Sequence, residues 1–154
     1  MEPLLRHGQV IPAFTLPSSE GAPVRRTAYR DRRNLVLAFL PSAQDDGARA
    51  YLRALADGYA AIQAETGEVL AILRGDQAAA AALRLDLELP FPVLADADGM
   101  ATARFLAPAA RAGVFVTDRS GELYFAAPAA DAASLPPVAA LQDWLAAIDR
   151  QCSI

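Results

Sequence analysis

Thiols and imidazoles are almost absent from this chain of 154 residues. It has one cysteine, Cys152, and one histidine, His7. A single thiol excludes any disulfide within the chain, and one cysteine with one histidine cannot supply the ligand set of a Cys/His zinc site. No glycine-rich phosphate-binding loop is present either. The sequence therefore indicates neither a metal site nor a bound cofactor.

Lysine is missing altogether, because all 14 basic residues are arginines; with 18 acidic residues the net charge is −4. An acidic chain of this kind predicts no nucleic-acid partner. No stretch reaches the roughly 18 apolar residues that a membrane-spanning helix needs, so we expect no membrane partner. The first twelve residues lack a basic region followed by a long apolar run, which predicts a cytoplasmic location.

Material for a core is abundant, since 54 % of the residues are hydrophobic and only 21 % are charged. A chain of this length suits one domain, and neither a linker nor an internal repeat divides it. We therefore expect a single domain over residues 1–154.

Strands are predicted where apolar runs of strand length lie between turn residues. Runs that are apolar throughout are typical of strands buried on both faces of a sheet. These patterns predict an N-terminal hairpin within residues 11–33, buried strands at 34–40 and 68–73, a short extended piece at 91–96 and a β-hairpin over 112–127.

Helices are predicted from capping residues followed by apolar residues at helical spacing. Asp45 or Asp46 can cap a helix that we expect to continue to Gly67, with Arg49 one turn on for an ion pair. The remaining predicted helices are one after Asp76, bounded by Pro90, a short one at 98–106, and a last one from Pro136 with an inner face of Val138, Leu141, Leu145 and Ile148.

A strand, a helix and a second strand of this kind form a parallel pair with a right-handed crossover. The later hairpin adds antiparallel strands. The sequence thus predicts an α/β fold in which a mixed central β-sheet is flanked by helices and preceded by an N-terminal β-hairpin.

Four segments of the chain, taken in order, resemble the peroxiredoxins of the AhpC/TSA (alkyl hydroperoxide reductase / thiol-specific antioxidant) family. They are IPAFTLPSSEGAPVRRTAYRDR, NLVLAFLP, LPFPVLADADG and VFVTDRSGELYF. The resemblance implies a thioredoxin-like fold of the peroxiredoxin branch. It also implies a thiol-dependent antioxidant oxidoreductase as the activity of the family.

The active-site motif of that family, Pro-x-x-x-Thr-x-x-Cys, is kept only in part. Pro41 matches the proline, whereas Asp45 stands in place of the threonine and Ala48 in place of the peroxidatic cysteine. Arg111 is the nearest candidate for the arginine of the family, although counted back from Asp118 it sits one place early.

Loss of the cysteine removes the group that attacks the peroxide O–O bond, because the thiolate is the nucleophile. Ala48 has only a methyl group, and an ionised Asp45 cannot donate a hydrogen bond to a peroxide. We therefore expect a degenerate active site without a catalytic residue, and a non-catalytic role in binding a protein or small-molecule partner.

Two alternatives remain open at this stage. Cys152, which the sequence places after the last helix, could act as a displaced thiol in a peroxidase or oxidoreductase, in a dimer where one tail reaches the other pocket. Asp45 or Asp46 could hold a cation or act as a general base, although a base needs a pKa near the working pH and N-cap carboxylates are stabilised as anions.

Several further residues receive structural interpretations. His7 is expected at the surface. Asp96 and Asp98 resemble the start of a calcium loop, but the closing glutamate is absent, so they predict a turn and a helix cap. The resemblance implies a homodimer, with Tyr51 and Phe105 near the former active site or the dimer surface.

Overall fold

A computed structural model describes residues 2–152 of the chain, without the side chain of Cys152. The strands are β1 (Thr15–Pro17), β2 (Pro23–Arg25), β3 (Asn34–Leu40), β4 (Gly67–Leu73), β5 (Val93–Ala95), β6 (Ala112–Thr117) and β7 (Leu123–Ala129). The helices are α1 (Asp46–Asp57), α2 (Tyr59–Ala64), α3 (Gln77–Leu87), α4 (Met100–Phe105) and α5 (Val138–Cys152), with 3-10 turns at Arg26–Tyr29 and Ala132–Ser134.

The central sheet has the strand order β5-β4-β3-β6-β7. Strands β3, β4 and β5 run parallel, whereas β6 is antiparallel to both β3 and β7. Strands β1 and β2 form a separate antiparallel hairpin, which meets the edge strand β5 through a bridge between Ser18 and Leu94. The predicted mixed sheet and the N-terminal hairpin are both confirmed.

Strand β3 is buried along its whole length and supplies side chains to two cores. Val36, Ala38 and Leu40 point to the side covered by α1, α2, α3 and α5, here called the α1 side. Leu35, Leu37 and Phe39 point to the side covered by α4 and the N-terminal segment. Burial on both faces explains why the strand reads as an unbroken apolar run.

The predicted helix between Asp45 and Gly67 is wrong in its extent, because the structure divides it into α1 and α2 at Gly58. A Cβ atom at Gly58 would lie 2.8 Å from Gln142 Nε2 and 3.0 Å from Val138 Cγ1 of α5. Only a residue without a side chain lets α5 approach this closely. Gly67 does not end a helix but begins β4.

The last helix follows the prediction at its inner face, since Val138, Leu141, Leu145 and Ile148 are all buried. It runs through Cys152, so the expectation that Cys152 follows the helix is wrong. Within residues 2–152, none of the helices is both long enough and apolar enough to span a bilayer.

The two ends of the sheet are named by their position along β3. The motif end is where β3 finishes at Leu40 and Pro41 follows; the opposite end is where β3 begins at Asn34. Because a strand rises about 3.3 Å per residue, the two ends of β3 lie about 20 Å apart.

Candidate functional site

The turn that follows β3 delivers Asp45 to the start of α1. Asp45 has an extended backbone and its Oδ2 accepts a hydrogen bond from the backbone N–H of Ala48, at 2.8 Å. This confirms that Asp45 caps the helix. The N–H groups of a first helical turn are the ones that bind and stabilise anions. Here the N–H of Ala48 already donates its hydrogen bond to the carboxylate of Asp45.

Ala48, at the place of the missing nucleophile, has no exposed surface at all. The 3-10 turn Ala132–Ser134 packs against the first turn of α1, so closely that a Cβ atom at Gly47 would lie 3.0 Å from the backbone nitrogen of Ala133. The segment from this turn to Pro136 is therefore called the cover. Ala48 lies in the same apolar core as Ala132 and Leu135 of the cover, so a ligand reaches its methyl group only if this packing opens.

Tyr51, one turn along α1, ties the cover to the helix. Its hydroxyl donates a hydrogen bond to the carbonyl oxygen of Pro136, at 2.8 Å. The side chain is buried, and this burial raises the pKa of the Tyr51 hydroxyl above its ordinary value. Tyr51 thus lies one helical turn from Ala48, in a structural contact with the cover.

Arg111 forms no hydrogen bond or ion pair with Asp45 in the described part of the chain. Its side chain is exposed, and its guanidinium has no hydrogen-bond or ion-pair partner within the described part of the chain. The next residue, Ala112, is fully buried in the same apolar core as Ala48. The position that faces the former site is therefore Ala112, as the offset from Asp118 in the sequence suggests.

Arg49 does not pair with Asp45 or Asp46, contrary to the expectation from helical spacing. Its guanidinium forms an ion pair with Asp86 on α3 and donates to the carbonyl oxygen of Ala43 at 3.2 Å. The reason is that α1 packs against α3, which offers a carboxylate across the helix pair.

Beside this ion pair lies a cleft of about 730 Å³, which the sequence reasoning missed. It separates the turn after β3 from α3, and Leu85, 80 % exposed, stands on its rim. A signal exists in the sequence: leucines at 83, 85 and 87 alternate with period two. A helix cannot bury all three on one face, so one of them has to be exposed.

The last turns of α5 lie at the opposite end of the sheet from Ala48. Nδ2 of Asn34, the first residue of β3, is 3.3 Å from Oδ1 of Asp149. Cys152 follows three residues after Asp149, and its side chain is outside the described part of the structure. About 20 Å along β3 separates this end from the motif end, where Ala48 stands.

His7 and Asp96 both lie in structural contacts. His7 is exposed, as predicted, and its ring meets Tyr124 edge-on. Asp96 is buried and accepts hydrogen bonds from Ala101 N, Thr102 N and Thr102 Oγ1, so it caps α4. Among the residues described, no group of three or more acidic, histidine or cysteine side chains is arranged to hold a metal ion.

Phe105 is wrongly expected at a surface. It is 1 % exposed and its ring packs between Phe39 and Phe115, at centroid distances of 4.6 and 5.3 Å. These rings lie on the side of the sheet away from α1, so Phe105 does not flank the position of Ala48.

Comparison with known proteins agrees with this architecture. The sequence model of the AhpC/TSA family matches residues 7–126. A comparison with curated proteins gives no match.

Solved structures share the fold over nearly the whole chain. Peroxidoxin BcpB from Mycobacterium tuberculosis has a TM-score of 0.79 at 20 % identity, and 96 % of this chain and 97 % of that one are covered. The reduced 2-Cys peroxiredoxin of Plasmodium vivax has a TM-score of 0.84 at 15 % identity, with 96 % and 99 % covered. A yeast mitochondrial 1-Cys peroxiredoxin has a TM-score of 0.79 at 12 % identity, with 97 % and 79 % covered. These likenesses confirm the thioredoxin-like fold of the peroxiredoxin branch, and at such identities they establish the fold alone.

Proposed function

This chain belongs to the AhpC/TSA family, and we propose that within the family it is a non-catalytic member that acts by binding a partner. The observation that carries the proposal is the state of the first turn of α1. Ala48 is fully buried in one core with residues of the cover, and its N–H donates to the carboxylate of Asp45.

Peroxide reduction by a thiol makes three demands on this turn. A nucleophile must be present, a peroxide must reach it, and nearby donors must stabilise the charge that develops. Ala48 provides no nucleophile, the cover blocks access, and Asp45 places a carboxylate where a donor is needed. Restoring a cysteine at 48 alone would meet only the first demand.

The packing also favours a retained scaffold over a remodelled pocket. Ala48, Ala112, Ala129 and Ala132 are small residues buried in one apolar core with the cover residue Leu135. Side chains of this kind offer no acid, base or hydrogen-bond donor. A general-base role for Asp45 is weakened further, since its carboxylate is engaged in the cap.

The second candidate is a thiol-dependent peroxidase working through Cys152. What favours it is that Cys152 is the only thiol in a chain of this family. Because the last turns of α5 lie about 20 Å along β3 from the motif end, this chemistry would use a second copy whose α5 presents the thiol at the motif end of the first.

One assay separates the two candidates. Purified chain and the Cys152→Ser variant are incubated with hydrogen peroxide or an organic hydroperoxide and dithiothreitol, and peroxide loss is compared with dithiothreitol alone. We expect all three rates to be equal. Faster loss with the wild type but not with Cys152→Ser would establish the Cys152 peroxidase. Faster loss with both proteins would establish thiol-free chemistry, and either result overturns the non-catalytic assignment.

A further inference from the structure

The arginines of this chain are unevenly distributed. Five of the 14 lie within residues 25–33, a segment with one acidic residue, Asp31. The other nine arginines are set against 17 acidic residues. The net charge of −4 therefore hides a basic segment on an otherwise strongly acidic molecule.

The fold places this segment beside the turn between β6 and β7, at the opposite end of the sheet from Ala48. Asp31 has a left-handed backbone with φ of 64°, and its N–H donates to the carbonyl oxygen of Arg119, at 2.8 Å. This bond joins the segment to the turn between β6 and β7. The resulting arginine surface consists of the exposed residues Arg25, Arg30, Arg32, Arg33 and Arg119.

Two carboxylates, those of Asp31 and Asp118, line the same cleft as Arg119, but neither forms an ion pair with an arginine of this surface in the described residues. None of the five guanidinium groups has a hydrogen-bond or ion-pair partner among residues 2–151. The carboxylate of Asp118 lies in the same turn as Arg119, but its Oδ1 accepts hydrogen bonds from Ser120 N, Ser120 Oγ and Glu122 N. It is therefore held by its own turn and not by an arginine.

A sixth arginine lies beneath the surface and adds to its positive potential. Arg26 is 4 % exposed, and it donates to the carbonyl oxygen of Ile11 at 2.9 Å, while its Nε has no partner in the described residues. Burial, and then the nearby charge of Arg30, lower the pKa of Arg26 below its ordinary value. A buried cation beside unpaired exposed ones is costly, and a bound anion would reduce that cost.

We propose that the arginine surface binds an acidic segment of a partner protein, rich in aspartate and glutamate. Guanidinium groups pair with carboxylates through two parallel hydrogen bonds, which gives orientation as well as affinity. The inference supplies the partner class for the proposed partner-binding function. It rests on that function only for its biological meaning.

Three features favour an acidic peptide over a nucleic acid or an anionic membrane. The exposed large hydrophobic residues of the described chain are Leu4, Val10, Leu85 and Met100. None is aromatic, and Tyr29, the aromatic residue of the segment, is half-buried against the core, which leaves little ring face for stacking bases. Only Val10 is seen to approach the arginine surface, at Gly121, which leaves little apolar area for insertion into a bilayer. The acidic remainder of the chain also repels an extended polyanion such as a nucleic-acid duplex.

The test uses a fluorescein-labelled peptide of about ten glutamates, with a polyglutamine peptide of equal length as the neutral control. Binding is followed by fluorescence anisotropy between about 50 and about 200 mM NaCl, over which screening increases. We expect the acidic peptide alone to bind, and more weakly at higher salt. We expect the Arg30→Gln/Arg32→Gln variant to bind about tenfold more weakly, because two charge-assisted contacts are lost.

The matched control is Arg53→Gln/Arg111→Gln, which removes the same charge from exposed residues elsewhere and should bind like the wild type. Absence of binding, or equal weakening in both double variants, would overturn the proposal. So would binding of a DNA duplex or of phosphatidylserine vesicles in preference to the peptide. The peroxide assay is independent of these readouts, so failure of either proposal is recognised separately.

Discussion

Removing the N-cap of α1 should cost more stability than removing the equivalent cap of α3. Asp45 and Asp76 are matched: each is the N-cap of a helix, and each accepts one hydrogen bond of 2.8 Å from the backbone N–H three residues on. They differ in surroundings. The bond to Ala48 N is partly buried under the cover, whereas the bond to Ala79 N is exposed.

The magnitudes follow from that difference. Loss of an N-cap side chain costs about 0.5–2 kcal/mol of the free energy of unfolding. After Asp76→Ala, water can hydrogen-bond to the N–H of Ala79, so we expect about 1 kcal/mol. After Asp45→Ala, the buried N–H of Ala48 stays without a partner, which raises the expected cost to about 2 kcal/mol. For a chain of this size, about 2–4 °C is lost per kcal/mol, which gives drops in Tm of about 4–8 °C for Asp45→Ala and about 2–4 °C for Asp76→Ala.

Thermal unfolding followed by circular dichroism measures both variants beside the wild type. Asp45→Asn serves as the control, because asparagine caps a helix as well as aspartate does, and it should unfold close to the wild type. Equal Tm values for Asp45→Ala and Asp76→Ala would refute the reasoning, since Ala48 N would then be reached by solvent in the folded chain. That result would also remove the main support for a closed site.

Two further variants probe the packing and the electrostatics around β4. Gly67→Ala should lower the free energy of unfolding, measured by urea titration, by about 1–3 kcal/mol. The reason is that the new methyl group would lie 2.8 Å from Ile62 Cγ2 and 3.0 Å from Leu145 Cδ1. Wild-type stability of the variant would mean that these neighbours move aside without cost. A hydrogen bond with Asp149, followed by desolvation and the charge of Asp149, raises the pKa of Glu65 above its ordinary value of 4.5. The folded chain therefore holds this proton more tightly than the unfolded chain, and the resulting stability is present below about pH 4.5 and lost as pH rises through the raised pKa. Glu65→Gln should flatten the decline of Tm as the pH rises above about 4.5, and parallel profiles for variant and wild type would contradict it.

A chain of this fold can bind a partner without carrying out the chemistry of its family. At the motif end, Ala48 is buried in one core with the cover residues Ala132 and Leu135, while the opposite end carries exposed arginines without ion-pair partners among the described residues. Because β3 separates the two ends by about 20 Å, changes at the sealed turn leave the arginine surface intact. A binding role at one end is therefore compatible with loss of the nucleophile at the other.

Local interactions were readable from the sequence. The bounds of β3, Asn34–Leu40, agree with the prediction, because a strand buried on both faces is apolar throughout and Pro41 ends it. The caps Asp45 and Asp76 were predictable for a similar reason, since a cap bonds to an N–H only three residues away. The substitution at Ala48 needed no structure at all.

Contacts between distant segments were decided only by the tertiary structure. Helical periodicity runs through Gly58, and the break there exists because α5 approaches it from residues 138–142. Helical spacing alone predicted that Arg49 pairs with an acidic residue at the start of its own helix, but Arg49 pairs with Asp86 on α3. In the same way, the sealing of Ala48 depends on the cover, more than 80 residues later in the chain. A sequence specifies strongly what forms within one turn or one strand, whereas partners brought together by packing depend on the whole core being assembled.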